Sequence, residues 1–97
     1  MAQFGTDWDI INVDISGATD TAVTYSKPVK SFVLWSRNRK SFLLRRTDGG
    51  TNYATIFGGG NYRAEVVLHN ASASSATLAY IRPSDGSADV IEGIVTF

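Results

Sequence analysis

The chain has 97 residues, with nine basic residues, nine acidic residues, one histidine and no cysteine. This length predicts one small domain with a thin core, and the lack of cysteine excludes disulfides, thiolate metal sites and cysteine nucleophiles. Because no apolar run reaches the length of a membrane span or of a secretory signal, we expect neither membrane insertion nor export.

Short apolar runs alternate with turn-forming clusters along the whole chain, which predicts an all-β domain. The clusters are rich in glycine, proline, aspartate, asparagine and serine, the residues that turns require. The predicted strands, in chain order, cover residues 8–15, 22–25, 31–36, 41–47, 52–57, 62–69, 76–82 and 89–97. Eight short strands predict a single antiparallel β-sandwich over residues 1–97, of jelly-roll or immunoglobulin-like topology, or a small barrel.

Residues 31–46 are interpreted as a hairpin that is apolar on both faces. Its apolar side chains are Phe32, Val33, Leu34, Trp35, Phe42, Leu43 and Leu44. In so small a domain, strands that are apolar on both sides need an outside cover. We therefore expect a closed homo-oligomer, a trimer, formed through the region around Trp35 and Phe42.

The alternation of side chains along the strands predicts which of them form the core. On the strand 62–69, alternate residues are apolar, which is typical of a half-buried strand in an antiparallel sandwich. The side chains expected to be buried are Phe32, Leu34, Val66, Leu68, Leu78, Ile91 and Val95.

Charge is distributed unevenly along the chain. Seven of the nine basic residues lie between positions 27 and 46 without an acid among them, whereas the first twenty residues hold four acids and no base. Such a layout predicts a docking surface for a polyanion or for an acidic patch of another protein. The residues predicted to bind the partner are Trp35, Arg37, Arg39, Lys40, Arg45 and Arg46.

Arg45 and Arg46 are adjacent on one predicted strand, so their side chains face opposite ways. Only one of them can join the turn at residues 37–40. The other is expected to pair within the fold, with Glu65 or Glu92 as its partner.

No motif predicts catalysis, a metal or a cofactor. His69 is the only histidine and is interpreted as structural or exposed. Residues 85–89 carry two carboxylates but lack the ligand spacing of a calcium loop, so we interpret them as a hairpin turn. Residues 58–60, three glycines, are followed by neither a helix nor a Gly-Lys-Ser/Thr element, which excludes a phosphate loop. The sequence thus predicts a protein that is not an enzyme.

Two ligand-binding alternatives remain open. Trp35 with Tyr53, Phe57 and Tyr62 beside the basic segment suits a nucleic-acid face, in which arginines neutralise phosphates and aromatic rings stack on bases. A net charge of zero does not favour it. Trp8 or Trp35 also suits a stacking platform for a sugar ring, as in a carbohydrate-binding module.

Three segments carry a resemblance to a known kind of protein. They are Ser-Phe-Val-Leu-Trp-Ser-Arg-Asn (31–38), Ser-Phe-Leu-Leu-Arg-Arg-Thr (41–47) and Ala-Asp-Val-Ile-Glu-Gly-Ile-Val-Thr-Phe (88–97). With the composition of the whole chain, rich in glycine, serine, threonine and alanine, they resemble the small all-β virion proteins of tailed bacteriophages.

The resemblance implies a capsid decoration (cement) protein, a trimer that sits where capsid subunits meet, or a tail- or fibre-associated structural subunit. It also implies a virion location and an acidic surface of a capsid or other virion protein as the partner. It supplies no site residues. A bipolar charge layout suits such docking because complementary patches set the orientation and the rate of encounter.

Overall fold

The computed structural model describes residues 7–59, 62–68 and 76–97. Within this part of the chain the regular structure consists of strands, and no helix is long and apolar enough to cross a membrane. The eight strands are Trp8–Ile15 (β1), Thr21–Tyr25 (β2), Ser31–Ser36 (β3), Phe42–Arg45 (β4), Tyr53–Ile56 (β5), Ala64–Val67 (β6), Ala76–Pro83 (β7) and Asp89–Thr96 (β8). The all-β prediction is confirmed, and each predicted strand overlaps an observed one.

The strands pair as if the chain were one long hairpin that has been rolled up. β1 pairs with β8, β2 with β7, β3 with β6 and β4 with β5, always antiparallel. These pairs alternate between two sheets, sheet A with the order β1-β8-β3-β6 and sheet B with the order β2-β7-β4-β5. This arrangement is a jelly roll, the first of the expected sandwich topologies.

The predicted hairpin over residues 31–46 is wrong. β3 lies in sheet A beside β8 and β6, whereas β4 lies in sheet B beside β7 and β5, so the turn between them crosses from one sheet to the other. The predicted hairpin turn at residues 85–89 is likewise a crossing, from β7 to β8. Both segments have turn chemistry, but each strand is apolar on its inner side and finds its partner far away in the sequence.

The core lies between the two sheets. Five of the seven side chains predicted to be buried are buried, namely Phe32, Leu34, Leu78, Ile91 and Val95. Val66 and Leu68 pack against the core but are only partly buried, because β6 is the edge strand of sheet A. Phe42 is fully inside the core. It therefore cannot form a subunit contact, and that part of the oligomer prediction is wrong.

Four connections meet at one end of the sandwich. They join β1 to β2, β3 to β4, β5 to β6 and β7 to β8, and each of them crosses between the sheets. Hydrogen bonds tie them together, from Gly17 N to Gly86 O (2.9 Å), from Ser84 N to Ser41 O (3.1 Å) and from Gly58 N to Ser41 Oγ (3.0 Å). We call this the crossover end, and it positions the candidate site.

Candidate partner-binding cleft

A cleft of about 310 Å³ opens at the crossover end. The end of β3 and the following turn form one wall, and the connection from β5 to β6 forms the other. The side chains that give the cleft its chemistry are three aromatic rings, three arginines and one carboxylate: Trp35, Phe57, Tyr62, Arg37, Arg39, Arg63 and Glu92. The cleft is therefore aromatic and carries more positive than negative charge.

Glu92, on β8, fixes two of these side chains. Its carboxylate accepts a hydrogen bond from Arg37 Nε at 2.7 Å and one from Trp35 Nε1 at 2.9 Å. A second nitrogen of Arg37, Nη2, donates to Asn12 Oδ1 at 3.2 Å. The hydrogen bond from Arg37, and after it the one from Trp35, lowers the pKa of Glu92. The indole and the Arg37 guanidinium are thus held in place before any ligand arrives.

Asp89 anchors the turn that carries Arg39. Its carboxylate accepts hydrogen bonds from Ser36 Oγ (2.5 Å) and Asn38 Nδ2 (2.8 Å), and Ser36 Oγ in turn accepts one from Lys40 N (2.9 Å). Burial raises the pKa of Asp89, but the hydrogen bonds from Ser36 and Asn38 outweigh burial and leave the pKa below its ordinary value. The turn is consequently tied to β8 by an ionised carboxylate.

Arg39 has a left-handed backbone conformation, with φ of 59°. A side chain other than glycine, asparagine or aspartate rarely adopts this conformation. Gly58 packs directly against the backbone of Arg39, so close that any Cβ at position 58 would collide with the Arg39 carbonyl oxygen. The turn and the β5–β6 connection are therefore locked against each other, which a glycine at position 58 makes possible.

The far wall of the cleft carries two exposed rings. Phe57 and Tyr62 are 60% and 62% exposed, and their rings meet edge to face with centroids 6.0 Å apart. Arg63 lies next to them, and its Nε is 3.8 Å from Glu65 Oε1 in a pair that is exposed on both sides. Such an exposed and distant ion pair contributes little to stability.

The structure brings together only three of the six residues predicted to bind a partner, Trp35, Arg37 and Arg39. Lys40 turns away from the cleft and donates from Nζ to Ala88 O at 3.2 Å. Arg46 is exposed but lies elsewhere, with Nη1 3.5 Å from Leu78 O.

Arg45 is buried and belongs to the fold. Its Nη1 is 3.1 Å from Asp20 Oδ1, and both side chains are almost inaccessible. The expectation that one of the two adjacent arginines pairs internally is confirmed, but Glu65 and Glu92 were the wrong partners. Tyr53 covers Arg45, with the guanidinium 5.0 Å from the ring centre, so this aromatic is not part of the cleft.

Sequence reasoning did not find Arg63 or the role of Glu92. Arg63 directly precedes β6 and Glu92 lies on β8, and only the fold brings them beside Trp35. One feature of the sequence could have indicated the site. The glycines at positions 58 and 59 lie between two aromatic residues, and glycines in such a place often mark a close approach to another backbone, here that of the β5–β6 connection to the turn after β3. His69, interpreted above as structural or exposed, lies outside the described residues.

Within the described part of the chain, no group of three or more histidine, aspartate or glutamate side chains could hold a metal ion. Asp85 accepts hydrogen bonds from Ser87 Oγ and Ser87 N, as in an ordinary polar turn. The side-chain hydrogen bond from Ser87 is the main reason why the pKa of Asp85 is lowered.

A second surface also stands out, the outer face of sheet A. Register places Ile10 beside Ile94, and Ile94 beside Val33, in one row across β1, β8 and β3. Trp8 and Val67 flank this row on the edge strands and are 50% and 68% exposed, while Ile10 is 59% exposed. Apolar side chains thus lie on all four strands of this outer face, with Glu65 beside Val33 on β6 and with Thr96 and Ser31 between Trp8 and Val67.

Comparisons with known proteins provide no further guide. No protein-family model, no curated protein and no solved structure matches this chain.

Proposed function

We propose that this protein is a non-enzymatic structural subunit that assembles with copies of itself and with a larger particle. The particle is the one that the sequence resemblance implies, a bacteriophage head, on which the protein acts as a decoration subunit; a tail-associated subunit is the alternative. The observation that carries the proposal is the apolar outer face of sheet A, defined by Trp8, Ile10, Val33, Val67 and Ile94.

Exposed apolar side chains that cluster on one face of a small domain are typical of protein interfaces. The two outer faces of the sandwich differ in this respect. Of the large apolar side chains that are half or more exposed among the described residues, Trp8, Ile10 and Val67 lie on strands of sheet A, whereas Tyr53 is the one on a strand of sheet B. Sheet A is thus the face that favours burial against another protein.

A second copy of the chain is the occupant that the charges of sheet A favour. Charges of opposite sign lie side by side on this face, Arg37 with Glu92 and, at the longer distance of 3.8 Å, Arg63 with Glu65. Copies that meet through this face therefore do not bring unpaired like charges together at these positions. Small homo-oligomers are mostly closed and symmetric, so we expect a defined assembly, the trimer of the sequence-based prediction, rather than open aggregation.

The jelly roll adds support of a weaker kind. This architecture is common among viral capsid domains, but also among lectins and cupins. A fold alone does not determine function, so the proposal rests on the patch.

Light scattering coupled to size exclusion tests the assembly directly. The wild-type chain should have an integral multiple of the monomer mass at micromolar concentration. Ile10→Asp places a charge at an exposed apolar position of the patch and should raise the dissociation constant by roughly tenfold or more. Thr55→Asp, an exposed position on sheet B, is the matched control and should leave the assembly intact.

A monomeric mass for the wild type over a wide concentration range would refute self-assembly through this face. Equal effects of the two substitutions would show that the added charge, and not the patch, matters. The docking to a particle is tested separately, by the occupancy of Ile10→Asp on purified particles relative to Thr55→Asp.

A further inference from the structure

We propose that the cleft at the crossover end binds an extended acidic segment of a partner protein. Carboxylates of the segment contact Arg39 and Arg63, and an apolar or aromatic side chain of the segment packs between Trp35 and the Phe57–Tyr62 pair. The inference deepens the proposed function by naming the chemistry of the partner, and it relies on that function only for the source of the segment.

The guanidinium groups of the cleft differ in availability. Arg37 is engaged by Glu92 and Asn12. Arg39 is exposed, and its guanidinium makes no hydrogen bond or ion pair within the described residues. Arg63 has only the long, exposed contact with Glu65. Two arginines thus remain to bind carboxylates, and arginine binds carboxylates with two parallel hydrogen bonds when geometry permits.

The backbone at Arg39 indicates that its position matters. An arginine in the left-handed backbone conformation is strained, and this conformation persists only where the surroundings impose it. Here Asp89 holds the turn from one side and Gly58 from the other. Glycine or asparagine at position 39 would adopt the same backbone conformation with less strain. The conformation therefore gives no reason for an arginine at this position, whereas binding through the guanidinium does.

An edge strand leads into the cleft. Among the described strands, β6 pairs with β3 on one side and forms the edge of sheet A on the other. Arg63, which lines the cleft, directly precedes β6, and it also borders a second depression along β6 with Val33, Val67 and Ile94. Because an unpaired edge is a template for an added strand, an extended peptide can pair with β6 and place alternate side chains in the cleft.

A nucleic acid fits the same site less well. A phosphate backbone requires basic residues along its whole path, whereas here the arginines are confined to one cleft. The Phe57 and Tyr62 rings meet edge to face at 64° and do not form parallel stacking platforms. An acidic sugar would use the arginines but not the free edge of β6.

The test uses the full chain and a peptide array. The array holds extended nonapeptides in which acidic residues alternate with apolar or aromatic ones, each beside a counterpart with asparagine or glutamine in place of the acids. The tightest peptide is then titrated in solution against the wild type and the variants. We expect binding that depends on the acids, weakens with added salt, and slows amide exchange in β6.

Arg39→Gly removes the guanidinium while the left-handed turn is kept, and it should weaken peptide binding by roughly tenfold to a hundredfold. Arg63→Gln should weaken it to a similar extent. Lys30→Gln removes the same charge at an exposed position at the opposite end of the sandwich and should change the affinity less than about twofold.

The inference is overturned if no acidic peptide binds better than its amide counterpart, or if Arg39→Gly and Lys30→Gln have the same effect. It is also overturned if an oligouronate or an oligodeoxythymidine binds more tightly than every peptide. Ile10→Asp should still bind the peptide. A wild type that binds the peptide but stays monomeric would refute the proposed assembly alone, and an assembled wild type without peptide binding would refute this inference alone.

Discussion

At the scale of single residues, the most consequential contact outside the cleft is the buried pair of Arg45 and Asp20. Asp20 also accepts a hydrogen bond from Gly49 N at 2.7 Å and lies 3.9 Å from Arg82 Nε. Arg45 further donates from Nε to Gly50 O at 2.9 Å. The pair therefore fastens the β4–β5 loop to the start of β2.

Arg45→Met should destabilise the protein by about 3–5 kcal/mol, because it leaves the Asp20 carboxylate buried without its closest charge. Arg46→Met is the matched control, because Arg46 is the next residue along the chain and its side chain is exposed. This substitution should lower the free energy of unfolding by less than about 0.5 kcal/mol. Urea unfolding at neutral pH measures both. Equal losses would mean that water reaches Asp20 and that the pair does not hold the loop.

The sequence could show that these two arginines point to opposite sides of their strand, because adjacent strand residues alternate, and that one of them would pair within the fold. It could not show which acid would meet it. Asp20 precedes β2 and reaches Arg45 because β2 and β4 both pair with β7. The two acids predicted as partners of the arginine, Glu65 and Glu92, lie on sheet A and are remote from the β4–β5 loop.

At the scale of elements, the strands were predictable and their partners were not. Runs of apolar residues bounded by turn chemistry placed all eight strands, since both signals are local. The apparent hairpin over residues 31–46 failed because a short polar turn serves equally well between strands of one sheet and between strands of two. The choice is made by long-range pairing, here that of β3 with β8. The cleft lies at such a crossing, so only part of it was foreseen.

The crossing from β3 to β4 depends on Asp89, and this dependence predicts a pH effect. The folded pKa of Asp89 is below the ordinary value of 3.8, so its carboxylate adds stability that is fully present well above that value. The contribution is lost as the pH falls through 3.8 towards the folded pKa. Asp89→Asn should cost about 1.5–3 kcal/mol at pH 7, because two hydrogen bonds to a charged acceptor are lost or weakened.

The difference in unfolding free energy between the wild type and Asp89→Asn should therefore shrink as the pH falls from neutral through 3.8. Denaturant titrations over this range decide the question. Asn38→Ala removes one of the donors and should give a smaller loss with the same pH trend. A difference that stays constant with pH would show that Asp89 acts through shape and packing alone.

At the scale of the whole molecule, the nested pairing determines how far apart in the sequence the paired strands lie. β4 and β5 are joined by a short loop, since Arg45 pairs with Tyr53. β1 and β8 join the two ends of the chain, since Trp8 pairs with Thr96 and Ile15 with Asp89. Closing a long loop costs more entropy than closing a short one, and folds dominated by distant contacts fold in about milliseconds to seconds.

We therefore expect β4–β5 to form in the folding transition state and β1–β8 to form after it. Leu44→Ala on β4 and Val13→Ala on β1 make a matched pair, because both side chains pack against the core while partly exposed. Leu44→Ala should mainly slow folding, with φ above about 0.5, and Val13→Ala should mainly speed unfolding, with φ below about 0.3. Stopped-flow tryptophan fluorescence across a urea series measures both rates. If Val13→Ala slows folding as much as Leu44→Ala does, the ends of the chain meet early, and the roll closes from its outermost pair instead of its innermost one.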